Sequence, residues 1–368
     1  MSMNAQFMPI TNHPLQLETL DFDLPPELEA GEPPEVRGMG RDDVRLMTSY
    51  SQSNHVKHLK FKDIVDVLDE GDVVVINTSG TMNAAIKGIR KNGTEKVEVH
   101  LSTQMLSGNW VIELRNTFNK ITKPLLDAKS QDIINLPENG SLQLIKPYSS
   151  YQINGRMRTR LWLAKLTLPN DVHTYTNKHG FPIRYSYVND QWHSDYYQTV
   201  YATTFGSAEM PSAGRAFTTK IITAMIAKGI HIVPLTLHTG VASLEENEPP
   251  YEEYYHVPNS TAQIINLARR SQKRIIAVGT TVVRALETVT NSNGVTSSGA
   301  GWTDIIITPQ RGIHAVNGIL TGLHEPKATH LAMLEALTGR EHLQITYQQA
   351  LEKRYLWHEF GDLHLILP

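Results

Sequence analysis

The sequence predicts an α/β protein, with a large α/β domain built on a mixed sheet and interrupted by an inserted small antiparallel β-barrel domain. Three observations carry this expectation. From residue 197 onward the chain repeats strand, turn and helix in order, as a sheet covered by helices requires. The clearest unit of that series runs from Arg274 to Thr288. Ile275, Ile276, Ala277 and Val278 form a short apolar run, Gly279 turns the chain, and Val282, Val283 and Leu286 recur at helical spacing. Between Ala85 and Pro169 the texture changes to short alternating runs separated by turn residues, the pattern of antiparallel strands with one wet face. The expected division is 1–84 and 176–368 for the large domain and 85–175 for the barrel.

The elements follow in order. Residues 1–20 read as a polar lead-in. Phe22 to Leu28 starts a short helix with proline in its first turn. The cluster 41–47, Arg-Asp-Asp-Val-Arg-Leu-Met, leads into a strand. It reads either as a solvated face or as an ion-pair network beside an anion site. Phe61, Ile64, Val65 and Leu68 are spaced for an amphipathic helix, and Val73 to Ile76 for a buried strand. Residues 77–81 read as a loop of small hydrogen-bonding groups. Barrel strands are expected at 96–101, 109–114, 142–145 and 160–166, and a polar linker at 170–196. Pro211 to Phe217 turns into a helix through Ile221 and Ile226, ended by Gly229. A strand at 232–238 ends on His238. An acidic loop covers 245–253 and a helix 261–270. Strands at 304–308 and 316–323, helices at 327–337 and 347–357, and a strand at 363–367 complete the chain.

Composition narrows the function classes. At 368 residues there is room for two domains of about 150 residues each. Lys and Arg total 34 against 37 Asp and Glu, a net charge of -3, which argues against bulk electrostatic binding to nucleic acid and leaves room for a local patch. The absence of cysteine excludes disulfide and thiolate chemistry and fits a reducing compartment. No signal peptide is expected, because the first residues lack a basic segment followed by an apolar one. No run of about 18 apolar residues exists, so no membrane span is expected and the cytoplasm is the default location. There is no Gly-x-Gly-x-x-Gly, no Walker loop and no His-Glu-x-x-His. His55 and His58 read as surface residues. His238, His324 and Asp362 could in principle converge on a metal, but no metal is expected.

Strand ends are where an open α/β sheet places its ligands. His238 is an acid–base candidate there, and equally a locally hydrogen-bonded histidine. Thr280 or Thr281 can cap the helix after Gly279. Arg284 and Glu287, three apart, make with them a polar corner of an active site, or an ordinary surface ion pair.

Several of these strand-end segments together resemble the S-adenosylmethionine:tRNA ribosyltransferase-isomerase family of queuosine biosynthesis. They are Phe-Asp-Leu-Pro-Pro-Glu-Leu-Glu-Ala at 22–30, the 41–47 cluster, Gly71 to Asn77, Tyr197 to Tyr201, Thr236 to Gly240, Ala277 to Thr281 with Arg284, Leu286 and Glu287, and Phe360-Gly361-Asp362. Their shared order covers Phe22 to Leu367. The resemblance implies transfer of the ribosyl moiety of S-adenosylmethionine to 7-aminomethyl-7-deazaguanine in tRNA, giving epoxyqueuosine and releasing adenine and methionine. It implies S-adenosylmethionine as a substrate, tRNA as a partner and no metal; the oligomeric state is left open, with a monomer favoured. That chemistry needs a base for an acidified C5′ proton, donors for departing adenine and a dry pocket. The residues it points to are His238, Arg284, Glu287 and His324 for catalysis. Asn77, Tyr197, Gln198, Thr236, Gly240, Thr280, Thr281 and Asp362 would bind substrate.

The chain also departs from the family pattern. Gly80, Ala85 and Leu356 stand where arginines are expected, and Ala216 where a histidine is. A His-x-Met-His-x-Glu segment is reduced to Glu248, Pro250, Tyr251 and Glu253. A Thr-Asn-Phe-His-Leu-Pro segment is Thr321-Gly322-Leu323-His324-Glu325-Pro326. Because no other side chain reproduces a planar guanidinium, these departures admit an alternative. It is a paralogue that keeps the nucleoside and uses another acceptor, or a non-catalytic RNA-binding relative.

Overall fold

The computed structural model describes residues 19–90, 94–118, 121–153, 156–241 and 251–368. Nine strands make one mixed sheet. Their order is Gly299–Thr303, Glu253–Val257, His231–Leu237, Val73–Asn77, Ile275–Val278, Gly318–Gly322, Leu363–Leu367, Arg45–Tyr50 and His55–Lys60. The middle four run parallel. Leu363–Leu367 joins Gly318–Gly322 antiparallel and Arg45–Tyr50 parallel.

The period-2 geometry of a strand divides the central residues between two cores. Val73, Val75, Ile275, Ala277, Val233 and Leu235 face one side, where they meet Ile265, Val282, Val283, Leu286, Leu331 and Leu343 from four helices. Val74, Ile76, Ile276 and Val278 face the other, against Phe61, Ile64, Phe217, Ile221 and Met225. With both faces covered, every residue of Val73–Asn77 and Ile275–Val278 is buried, which is why these strands read as unbroken apolar runs.

The inserted barrel closes through six strands: Arg156–Thr167, Ser141–Ile153, Ile133–Asn135, Ala85–Arg90, Lys96–Gln104 and Trp110–Phe118, the last pairing back with the first. Ile86, Val99, Leu101, Ile112, Leu114, Leu142, Leu144 and Trp162 fill its interior. Gly180–Phe181 adds to Ala85–Ile86 and ties the barrel exit to its entry.

Five expectations need correction. Residues 77–81 are not a loop, since Ser79–Thr81 pairs in parallel with Thr204–Ser207. The Asn77 carboxamide accepts from the backbone N–H of Ser79 and Leu237, which redirects the chain into that second strand. The stretch 170–196 contains the helix Val172–His179, capped by Asp171. The strand expected at 304–308 is Gly299–Thr303 instead. The apolar run after it packs Ile307 into the core without a ladder partner. The last helix is Arg340–Glu352, seven residues earlier than its expected start at 347. Gly339, at φ 79°, separates it directly from Thr329–Thr338. Finally, neither Thr280 nor Thr281 caps the helix Thr280–Val289. Its N-cap is Gly279 at φ 91°, a conformation glycine adopts freely, and no side chain caps it. Of the acidic loop expected at 245–253, residues 245–250 lie outside the described residues, and Glu253 opens the strand Glu253–Val257.

Candidate functional site

A cavity of about 240 Å³ opens at the carboxyl ends of the parallel strands. Each wall is a chain segment leaving the sheet. Gly279, Thr280 and Thr281 follow Ile275–Val278, Thr239 and Gly240 follow His231–Leu237, and Thr321 to His324 end Gly318–Gly322. His330 and Met333 from the next helix complete the lining together with Tyr185, Glu209, His358 and Glu359. The start of Thr280–Val289 faces this space without a side-chain cap. The N–H groups of Thr280 and Thr281, which have no partner inside the helix, are therefore offered to the cavity, while Val282 N–H donates to Gly279 O.

Arg284 is fixed from several directions. Its guanidinium forms an ion pair with Glu253 and donates to the carbonyls of Ile305 and Thr303, both at 3.3 Å. The other Glu253 oxygen accepts from Gly240 N–H at 3.0 Å. One carboxylate thus clamps the arginine to the turn after the neighbouring strand. Asn77 lies beneath, its amide 2.8 Å from Leu237 O and 3.4 Å from Thr281 Oγ1.

Across the cavity His324 and His330 stack, with ring centroids 4.6 Å apart and planes at 7°. His324 Nε2 is 2.9 Å from Thr321 Oγ1, and Trp357 donates to its carbonyl. Burial, and then the neighbouring His330 and His358 rings, hold the His324 imidazole well below the usual histidine range. Desolvation and the Arg284 charge bring His330 down to about 4. His330 is the more exposed of the two rings, and both are held in the neutral form, the state that can accept a proton.

The lining also carries acidic and aromatic groups. Tyr185 donates to Glu209 at 3.0 Å. His358 stacks on Tyr187 at 4.9 Å, and its Nε2 is 2.9 Å from Glu325. Glu29, Glu325 and His358 bring three potential metal-ligand atoms within 4.8 Å of one another, the shortest recorded approach being His358 Nε2 to Glu325.

Of the residues singled out in the sequence, Gly240, Thr280, Thr281, Arg284 and His324 meet at the cavity. The others do not line it. His238 stands behind the Thr239–Gly240 wall. Its Nδ1 is 2.7 Å from Ser79 Oγ, its ring stacks on Tyr254, and it lies flat over Gly206, where an added Cβ would come within 2.6 Å of the ring. Burial lowers its pKa. Glu287 makes no ion pair with Arg284, contrary to the surface-pair expectation. It is buried, accepts from the N–H groups of His314 and Ala315 at 2.6 Å, and pairs with Arg311 at 2.5 Å. Asp362 accepts from Arg45 N–H and Nε and from Leu356 N–H, latching the chain end to the strand Arg45–Tyr50. Gln198 brackets the backbone of Thr81, and Tyr197 packs on Phe360. Thr236 contacts Thr78.

The sequence reading passed over Glu253 as a partner for Arg284, and missed His330, Tyr185, Glu209, His358 and Glu359. The signal for His330 was its place in the first turn of a helix that begins at a strand end. Of the departures from the family pattern, Gly80 sits against the Phe205 ring, and Ala85 and Ala216 are buried. Leu356 packs on the Tyr197–Phe360 cluster. Tyr251 lines the cavity and accepts from Arg160. Glu248 and Pro250 lie outside the described residues.

A family model described as "Queuosine biosynthesis protein" matches residues 17–366. The chain is 31% identical over 366 residues to the S-adenosylmethionine:tRNA ribosyltransferase-isomerase of Staphylococcus saprophyticus, covering 96% of this chain and all of that protein. It is 33% identical over 368 residues to the protein of the same name from Symbiobacterium thermophilum, with the same coverage. The crystal structure of S-adenosylmethionine tRNA ribosyltransferase from Thermotoga maritima aligns over 95% of this chain and 99% of its own, with a TM-score of 0.52 and 26% identity.

Proposed function

The chain belongs to the family of queuosine biosynthesis proteins, and on that premise we propose that it is an S-adenosylmethionine-dependent transferase-isomerase acting on tRNA. It moves the ribosyl moiety of S-adenosylmethionine to 7-aminomethyl-7-deazaguanine in tRNA, forms the epoxycyclopentanediol and releases adenine and methionine. The observation that supports a reaction site here is the convergence of Thr280, Thr281, Arg284 and His324 on one cavity at the strand ends.

Each wall has work suited to this chemistry. The uncapped start of Thr280–Val289 offers N–H donors to the carboxylate of the methionine end. The neutral His324–His330 pair supplies the base for the C5′ proton beside the sulfonium. Arg284 donates toward the adenine nitrogen that gains electron density as the glycosidic bond breaks, and Glu253 keeps its guanidinium in place. His238 acts indirectly, steadying the turn that ends in Gly240 through Ser79 and Ser207. Among the described residues no helix is long and apolar enough to cross a membrane, and we place the reaction in the cytoplasm with its tRNA.

A second reading keeps S-adenosylmethionine and changes the acceptor. It is favoured by the packing at Gly80, where the Phe205 ring occupies the space an arginine side chain would leave by. One assay separates the two. Adenine release from S-adenosylmethionine is followed with tRNA carrying 7-aminomethyl-7-deazaguanine, with tRNA lacking it, and without tRNA. Release only with the modified tRNA supports the first reading. Release that ignores the base favours the second, and no release under any condition removes both.

A further inference from the structure

Glu359 is used by none of the steps above. It is 7% exposed, it lines the cavity, and its Oε2 has no hydrogen-bond partner among the described residues. A buried carboxyl oxygen left without a donor is costly unless the site receives one from outside. Glu209 lines the same wall, its Oε2 accepting from Tyr185. Tyr185 and Tyr187 stack at 5.6 Å with planes 9° apart, giving the two carboxyls an aromatic backing. Among the described residues the groups that act on Glu359 include Glu209, Tyr185, Tyr187, Tyr197 and Arg215, and that arginine is paired with Glu35 at 2.7 Å.

We infer that Glu209 and Glu359 form a subsite for a primary alkylammonium group of a substrate. An ammonium carries three N–H donors and a positive charge, and two carboxyl groups beside aromatic rings supply acceptors, countercharge and π-faces for it. Burial, and then the Glu209 charge, push the Glu359 carboxyl well above its ordinary value, and a bound cation favours its ionised form. A proton carried by Glu359 in the empty site leaves to the solvent as the carboxylate–ammonium pair forms.

The inference rests on reading the cavity as the substrate site, where two groups have this chemistry. One is the α-ammonium at the methionine end of S-adenosylmethionine, and the other is the aminomethyl group of the acceptor base. Isothermal calorimetry at pH 7 in two buffers of different ionisation enthalpy distinguishes them. The probes are S-adenosylhomocysteine and free 7-aminomethyl-7-deazaguanine, with 5′-methylthioadenosine as the nucleoside that has no ammonium. At least one amine probe is expected to bind the native chain with net proton release. In Glu359→Gln the release disappears and affinity for that probe falls about ten- to a hundredfold, while 5′-methylthioadenosine is unaffected. Loss on the first probe places the amino-acid end at the subsite, and loss on the second the acceptor amine. Thermal melting verifies that Glu359→Gln folds. Should it not, Glu209→Gln is used, with the same loss of affinity expected. Amine binding that survives the substitution unchanged overturns the subsite alone. Failure of the native chain to bind any of the three probes overturns it together with the functional reading.

Discussion

Arg284 and Glu253 give the sharpest test of how the cavity is held together. Their side chains are each 12% exposed, so this is a largely desolvated pair, outside the class of surface contacts. Replacing Glu253 by glutamine preserves shape and an acceptor for Gly240 N–H but leaves the guanidinium against two carbonyls with no anion. Breaking a buried pair from one side costs about 3–5 kcal/mol, and the small remaining exposure moves the expectation to the lower end, about 3 kcal/mol. Arg284→Met should cost a similar amount, since it strands the Glu253 carboxylate. The double variant removes both charges and should lose less than the sum, giving a coupling of about 1.5–3 kcal/mol. Urea unfolding at pH 7 measures all four corners of the cycle. Adenine release should fall about 10²-fold in Glu253→Gln as the guanidinium loses its position. Additivity within about 0.5 kcal/mol would refute the clamp, because independent sites behave that way.

Other predictions concern the surroundings of the cavity. His364 is fully buried and its pKa is lowered from 6.5 to about 3, so the unfolded chain binds a proton there that the folded chain does not. Its contribution is intact above pH 6.5 and is lost as pH falls toward 3, at about 1.4 kcal/mol per pH unit, and His364→Gln should flatten the urea-measured pH profile by that slope. Gly206→Ala puts a methyl group against the His238 ring. It should cost about 1–3 kcal/mol in denaturant unfolding and shift the ring resonances of His238 in NMR spectra. Asp362→Ala removes the acceptor shared by Arg45 and Leu356, and should destabilise by about 3 kcal/mol, read by thermal melting. His324→Ala should lower the rate of adenine release about 10²–10⁴-fold with a smaller change in binding of S-adenosylhomocysteine.

The parts of the fold that were legible in the sequence are those where one residue pattern has one physical solution. Ile275–Val278 is apolar on both faces because helices cover both faces, and Gly279 is the residue that reaches φ 91° without strain. The last helix was displaced because Arg340–Glu352 follows its predecessor across Gly339 alone, with no capping residue to announce it. The edge strand was misplaced for a related reason. Gly299, Ala300 and Gly301 carry almost no side chain, so the true strand looks poor in strand formers, while the apolar run after it packs Ile307 on the core with no ladder among the described residues. Part of the site was visible for the same reason as the fold. Thr280, Thr281, Arg284 and His324 sit at strand ends, where a sheet must present its ligands. Glu209, Tyr185 and Glu359 come from segments remote in the chain, and nothing local marks them. Glu287 and Asp362 misled because a carboxylate near an arginine reads alike whether it serves chemistry or holds a backbone turn.

The most direct test of the central claim, that S-adenosylmethionine is consumed at the strand-end cavity, is a crystal structure of the chain with S-adenosylhomocysteine bound. The nucleoside is expected between Arg284 and the His324–His330 pair, with its amino-acid end at the start of Thr280–Val289. A nucleoside seated elsewhere, with the strand-end cavity left to solvent, would contradict that claim.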